Sequence, residues 1–364
     1  MKLRELIDEL NKWAPFHYQE SYDNSGLLIG EPHKDVKKIM VSLDVTSEVV
    51  EEAINGGFDT IISHHPIIFK GLKSLTGRND EEKAIMAALK NDIALVAMHT
   101  NLDNVKHGVN AQIAKQLQLH QTKILSPLQA QLKKLIVFIP VSHLETVRKS
   151  IFDAGAGQIG QYDQCSFGVE GLGTFRAGEN TSAFVGKKGV FHQEKEVRME
   201  TIFPAFLQSK IINTLYQNHP YEEPAYDIIP LDNVHHELGA GMIGELENAM
   251  NEKDFLVYLK EKMNIKCIRH TNFRGSEIKK VALCGGSGSF LINAAKSQKA
   301  DIFITGDVKY HEFFQAGKNL IVADIGHYES EQFTKELIRD FLIENFSNFA
   351  VQISEHQTNP INYF

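Results

Sequence analysis

Positive charge is what this chain of 364 residues has too little of: 38 Lys and Arg stand against 46 Asp and Glu, for a net charge of −8. Phosphate neutralisation needs clustered cations, and no basic stretch interleaved with aromatics is present, which argues against a nucleic-acid partner. Cysteine is scarce too. Cys165, Cys267 and Cys284 are scattered, odd in number and without CxxC spacing, so no disulfide framework is expected and a reducing cytoplasm fits. Nothing approaches about eighteen consecutive apolar residues, so no membrane span is expected. The opening Met1-Lys-Leu-Arg-Glu-Leu-Ile-Asp-Glu-Leu10 reads as the charged start of an amphipathic helix without an apolar signal core. What is present is ordinary for a soluble globular protein: 43% hydrophobic and 23% charged residues, in a chain long enough for two or three domains.

The chain divides by texture. Up to residue 128, strands at Val36–Asp44, Thr60–Ser63 and Ile93–Met98 alternate with helices at Ser47–Asn55, Glu81–Lys90 and Val109–Leu119. Such alternation predicts a parallel sheet covered by helices. From residue 233 to 364 the style returns, with short apolar strands at Lys279–Cys284, Asp301–Ile304 and Leu320–Ala323 and a helix over Phe333–Phe346. Between them, residues 129–232 carry two units of similar build. Val137-Phe-Ile-Pro140 and Thr201-Ile-Phe-Pro204 each end a strand and precede a helix, which predicts a small ferredoxin-like α+β domain inserted into one discontinuous α/β domain.

Candidate metal ligands stand where those strands end. His64 and His65 close Phe58-Asp-Thr-Ile-Ile-Ser-His-His, Asp103 is read as ending the strand run Ala94–Asp103, and His327 and Glu331 open a helix four residues apart, on one face. Ligands gather at the carboxyl ends of strands in open α/β sheets. Mixed imidazole and carboxylate donors suit Zn, Mn, Fe or Ni better than Mg or Ca. Two half-sites bridged by Asp103 and Glu331 would hold two ions about 3.5–4 Å apart. The competing reading makes each histidine a hydrogen-bonding loop residue.

Other polar groups are open to two readings. Asp44, His99, Asn101, Asn104, Asp307 and His311 could orient the ligands, Asp307 or His311 could instead act as general acid or base, or all could be turn and cap residues. Gly285-Gly-Ser-Gly-Ser289 could cradle an anion on backbone amides or be a tight turn. Tyr22–Gly26 could line the same cleft, though as sequence it is only a turn signal, and His219-Pro-Tyr-Glu-Glu-Pro224 is a contact surface or a rigid loop.

Taken together, Ser25-Gly-Leu-Leu-Ile-Gly30, Ser63-His-His-Pro-Ile-Ile-Phe69, His99-Thr-Asn-Leu-Asp103, Thr305-Gly-Asp307 with His311-Glu312, and Gly326-His-Tyr-Glu-Ser-Glu331 resemble the GTP cyclohydrolase I type 2 homologue family, also called Nif three-like, over essentially the whole chain. The middle segment resembles the insertion of the longer bacterial members, which is CutA-like or PII-like. The resemblance implies two divalent metal ions held by the positions of His64, His65, Asp103, His327 and Glu331, with zinc placed first. It also implies a toroidal homohexamer. It does not fix a substrate, because a fold hosts many chemistries. The expectation is a metal-dependent hydrolase acting on a nucleotide or cyclic amide C–N bond. The alternative is a non-enzymatic metal- or ligand-sensing oligomer with a PII-like regulatory domain.

Overall fold

Four short apolar runs from the first hundred residues and one from the last fifteen build the first sheet of the computed structural model, which describes residues 1–346 and 349–364. Its order is Gly26–Ile29, Ala94–Ala97, Thr60–Ser63, Lys38–Ser42, Ala350–Ile353. The last four are parallel, and Gly26–Ile29 runs antiparallel at the edge. Every residue of Thr60–Ser63 and Ala94–Ala97 is buried, which is why these strands read as unbroken apolar runs rather than alternating ones. The helix Ser47–Gly56 starts where the Thr46 hydroxyl accepts the Val49 N–H and stops at left-handed Gly57. It packs Val49, Val50 and Ala53 with Ile61 and Leu95, and each such fully buried aliphatic contributes roughly 1.5–3 kcal/mol.

A second sheet has the order Arg269–His270, Ile321–Asp324, Ile302–Gly306, Glu277–Ser287, His235–Asn251, His120–Leu128. Ile321–Asp324, Ile302–Gly306 and Glu277–Ser287 are parallel, and His235–Asn251 pairs antiparallel to Glu277–Ser287. Both sheets belong to one compact unit, 1–127 with 236–364, whose two stretches are separated in sequence by the other unit, 128–235. The chain is thus a mixed α/β fold. Among the described residues no helix is long and apolar enough to cross a membrane.

The unit 128–235 holds a four-stranded antiparallel sheet, ordered Phe167–Arg176, Phe191–Pro204, Leu132–Pro140, Tyr226–Leu231. With helices Leu144–Asp153 and Gln208–Asn218, its elements follow the sequence β-α-β-β-α-β. The helices bury Val147, Ile151, Ile211 and Leu215 with Leu135 and Val137 of the central strand.

Two expectations change at the level of elements. The strand foreseen at Arg198–Pro204 begins at Phe191 and is paired from Phe191 to Glu200 by Phe167–Arg176, which was not foreseen. That partner is exposed on nearly every residue, so it carries no buried-face pattern to read. Asp103 does not end a strand: the strand stops at Ala97, and Asp103 closes a one-turn helix, Thr100–Asp103. The side chains of that turn supply the reason. Asn101 donates to the Ala14 carbonyl, Asn104 to the Tyr18 carbonyl, and the Thr100 hydroxyl to Asp23, an arrangement an extended run would pull apart.

Candidate metal centre

The histidine doublet is placed by backbone pairing that outlasts the strand. The N–H groups of His64 and His65 donate to the carbonyls of Ser42 and Leu43 at 3.2 and 2.9 Å, and the Ser63 hydroxyl donates to the His65 carbonyl at 2.7 Å. Each imidazole is then fixed through Nδ1. That of His64 donates to the Met98 carbonyl at 2.7 Å, and that of His65 bonds Asp44 at 2.7 Å. Both Nε2 atoms are left facing the carboxylate of Glu331, at 3.6 Å from His64 and 3.0 Å from His65.

His327 arrives from the second sheet. It opens the short helix His327–Glu331 after the strand Ile321–Asp324, and the spacing of four puts its Nε2 3.1 Å from Glu331. Its Nδ1 bonds Asp307 at 2.6 Å, and its Nε2 lies 3.3 Å from that of His65. Asp103 stands 3.7 Å from His64 Nε2. Two three-residue groups result, His65–His327–Glu331 and His64–Asp103–Glu331, with Glu331 in both; His64, His65 and His99 form a third.

The chemistry of this cluster is that of ligands around a cation. His64 is fully buried and Glu331 is 3% exposed, yet His64 Nε2 and one Asp103 oxygen have no hydrogen-bond partner. Orphaned polar atoms that converge in a buried place need a charge to satisfy them. Protons do part of that work in the protein alone. Burial works against the charged form of His65, but Asp44 and Glu331 outweigh it and carry its pKa up to about 10. His327 is raised to about 9 against burial by Glu331 and Asp307. Burial lifts Asp103 to about 6, whereas Glu331, despite burial, is held low by the surrounding histidines. The donor set therefore fits a divalent ion, with each imidazole backed by a carboxylate or carbonyl as ligating histidines are.

Two glycines make room for it. Gly286 has φ +61°, and a Cβ there would run into the Glu331 carboxylate. A Cβ on Gly306 would come within 2.8 Å of the His327 backbone nitrogen.

All five expected ligands, His64, His65, Asp103, His327 and Glu331, are thus brought together. Asp44 and Asp307 each hold an imidazole, so Asp307 orients a ligand instead of standing free as an acid or base. His311, expected beside it in acid–base work, is exposed with its ring against Tyr310 and Phe314. The amides of Gly285, Gly286 and Gly288 already donate to Asn110, Ser330 and Thr305 at 2.9–3.0 Å, so an anion cradle there is set aside in favour of the turn reading. The loop after His219 also reads as structural: His219 bonds the Phe138 carbonyl and the Tyr221 hydroxyl donates to Glu196. One residue went unread in sequence. Asp23, its side chain buried, bonds His99 at 2.7 Å and is kept ionised against burial by His99 and Thr100; its segment was expected at the cleft, but the turn signal did not single out this acid or its bond.

Comparison with known proteins places the whole assembly. The family model described as Duf34/NIF3 (NGG1p interacting factor 3) matches residues 1–360. The chain belongs to this Duf34/NIF3 family. A Bacillus subtilis member, named GTP cyclohydrolase 1 type 2 homolog, is 39% identical over 99% of this chain and 98% of its own length. A Bacillus cereus protein related to NIF3 has a crystal structure that superposes with a TM-score of 0.84 at 38% identity, covering 100% of this chain and 99% of that one. A Staphylococcus aureus family structure gives 0.80 at 34%, with the same coverage.

Proposed function

We propose that this Duf34/NIF3 protein binds two divalent metal ions per chain, zinc ahead of manganese, iron or nickel, and is a metal-dependent hydrolase. The observation that carries the reading is the single buried carboxylate of Glu331 shared by two ligand groups. His65, His327 and Glu331 would hold one ion, and His64, Asp103 and Glu331 the other. Bound there, the ions would supply Lewis-acid polarisation of a substrate oxygen and a water of lowered pKa. The chain's own part is orientation. Asp44, Asp307 and the Met98 carbonyl hold the three ring Nδ1 atoms so that Nε2 points inward, and burial keeps bulk water from the carboxylate.

Burial also separates this reading from a sensing or delivery oligomer. Ligands as enclosed as His64 and Glu331 favour retention over exchange. The β-α-β-β-α-β order of residues 128–235 supports the ferredoxin-like, CutA- or PII-like reading of the insertion, the family resemblance supports a toroidal homohexamer, and the three scattered cysteines support a reducing cytoplasm. The name of the Bacillus subtilis relative brings GTP forward as a substrate to try.

Elemental analysis with turnover on a panel of nucleotides and cyclic amides tests the proposal. Two ions per chain are expected in the native protein, none in Glu331→Ala, and one in His64→Ala, with turnover down more than about a hundredfold in both. Native turnover in either variant removes the cluster from the chemistry.

A further inference from the structure

Resting on the dinuclear reading above, the walls of the metal cavity point to the class of molecule it admits. The cavity beside the cluster has a volume of about 440 Å³. Three aromatic rings line it, Tyr22, Phe69 and Phe290, and all three are exposed, at 66%, 46% and 68%. Large rings left this open in a cavity wall offer faces on which a planar ring can stack. Two of them lie on loops and Phe290 lies in a single 3-10 turn, so none is spent on the core.

What the same walls omit is as informative. Among the described residues no lysine or arginine lines this cavity or the adjoining one bounded by His65, His327 and Asn359. The charged side chains in the first, apart from histidine, are Glu20, Asp103 and Glu331. Phosphate groups are recognised by cationic side chains or by free backbone amides at glycine-rich turns. The amides of Gly285, Gly286 and Gly288 are already donated to Asn110, Ser330 and Thr305. Neither a cationic side chain of the lining nor any of these three amides is left for a triphosphate, which would meet only the ions proposed above.

We infer that the substrate is an uncharged planar heterocycle, a free base, nucleoside or cyclic amide, stacked on Tyr22, Phe69 and Phe290, and that no side chain of the lining recognises a nucleotide's phosphates. The ring would lie on the aromatic wall with its reacting edge toward the histidine cluster. Selection then comes from stacking and shape and not from charge.

Equilibrium binding to the full-length, metal-loaded protein tests this, with guanosine, GTP and inorganic triphosphate as probes and metal content measured in every sample. Guanosine is expected to bind at least as tightly as GTP, and triphosphate is expected not to displace it. Phe290→Ala and Tyr22→Ala, at exposed positions, are expected to weaken guanosine at least about fivefold with metal content unchanged. Phe290→Lys, which supplies the missing cation, should raise GTP over guanosine. GTP binding tenfold more tightly than guanosine, displacement by triphosphate, or no binding of guanosine by metal-loaded protein each overturns the inference. Guanosine binding to protein that retains no metal keeps the aromatic wall and sinks the dinuclear reading instead.

Discussion

At the scale of single residues, the cluster is an exercise in fixing rotamers from behind. Asp307 shows how. It sits at φ +55°, a left-handed conformation that asparagine tolerates about as well as aspartate, so Asp307→Asn leaves the backbone in place and removes only the charge facing His327 Nδ1. The expected outcome is metal affinity at the His65–His327–Glu331 group lowered about 10- to 100-fold, with the melting temperature little changed. Competitive chelation reads it directly; unchanged affinity means the carboxylate does not orient the ring. Metal uptake should also release protons near neutral pH, because His65 and His327 titrate at about 10 and 9 in the protein alone and are protonated there. Affinity should therefore rise with pH across the neutral range, and a calorimetric series in buffers of different ionisation enthalpy counts the protons; uptake without release contradicts these assignments.

At the scale of elements, what could be read depended on how completely a segment is buried. Thr60–Ser63 was legible to the residue, since both faces are covered and the apolar run has sharp ends. The helix read over Glu81–Lys90 is Asp80–Lys90, with Asn79 accepting the Glu82 N–H at its start. Phe167–Arg176 was illegible because glycines at 168, 171 and 173 interrupt a strand with almost no buried face. Gly26–Ile29 lay inside a motif quoted for its resemblance and not for its periodicity. The five ligands were nameable from the doublet, the spacing of four and the family motifs. Glu331, read as a bridge between two half-sites, does stand in both groups; Asp103, read as a second bridge, stands in the His64 group alone, because where two sheets bring their strand ends is not written in spacing. Acid sensitivity belongs to this scale too. Burial lowers His219 below its ordinary 6.5, against the opposing bond to the Phe138 carbonyl and with His143 adding to the fall. The unfolded chain therefore binds that proton first, so the contribution of His219 is present above pH 6.5 and is lost as pH falls through the folded value. Urea unfolding at pH 7.5 and 5.0 should show a smaller loss on acidification in His219→Gln than in the native chain; equal losses would exclude His219 as a source.

At the scale of the molecule, exposed apolar side chains on the unit 128–235 are the feature that asks for a partner. Phe167, Val169, Leu172 and Phe191 stand 50–66% exposed on two paired strands, and strand edges of this kind invite association. With a homohexamer proposed, Leu172→Glu is expected to lower the assembly's mass by light scattering while metal content stays at the native level. A hexamer that survives the charge takes these strands out of the interface. The separation of the ligands along the chain has its own bearing. His65 and His327 touch across 262 positions of sequence, with the whole of 128–235 made in between. During synthesis the first three donors leave the ribosome long before the last two exist. The two ligand groups that share Glu331 therefore stay incomplete until the C-terminal helix is made, so on the dinuclear reading capture of the ion pair is a closing event of biogenesis.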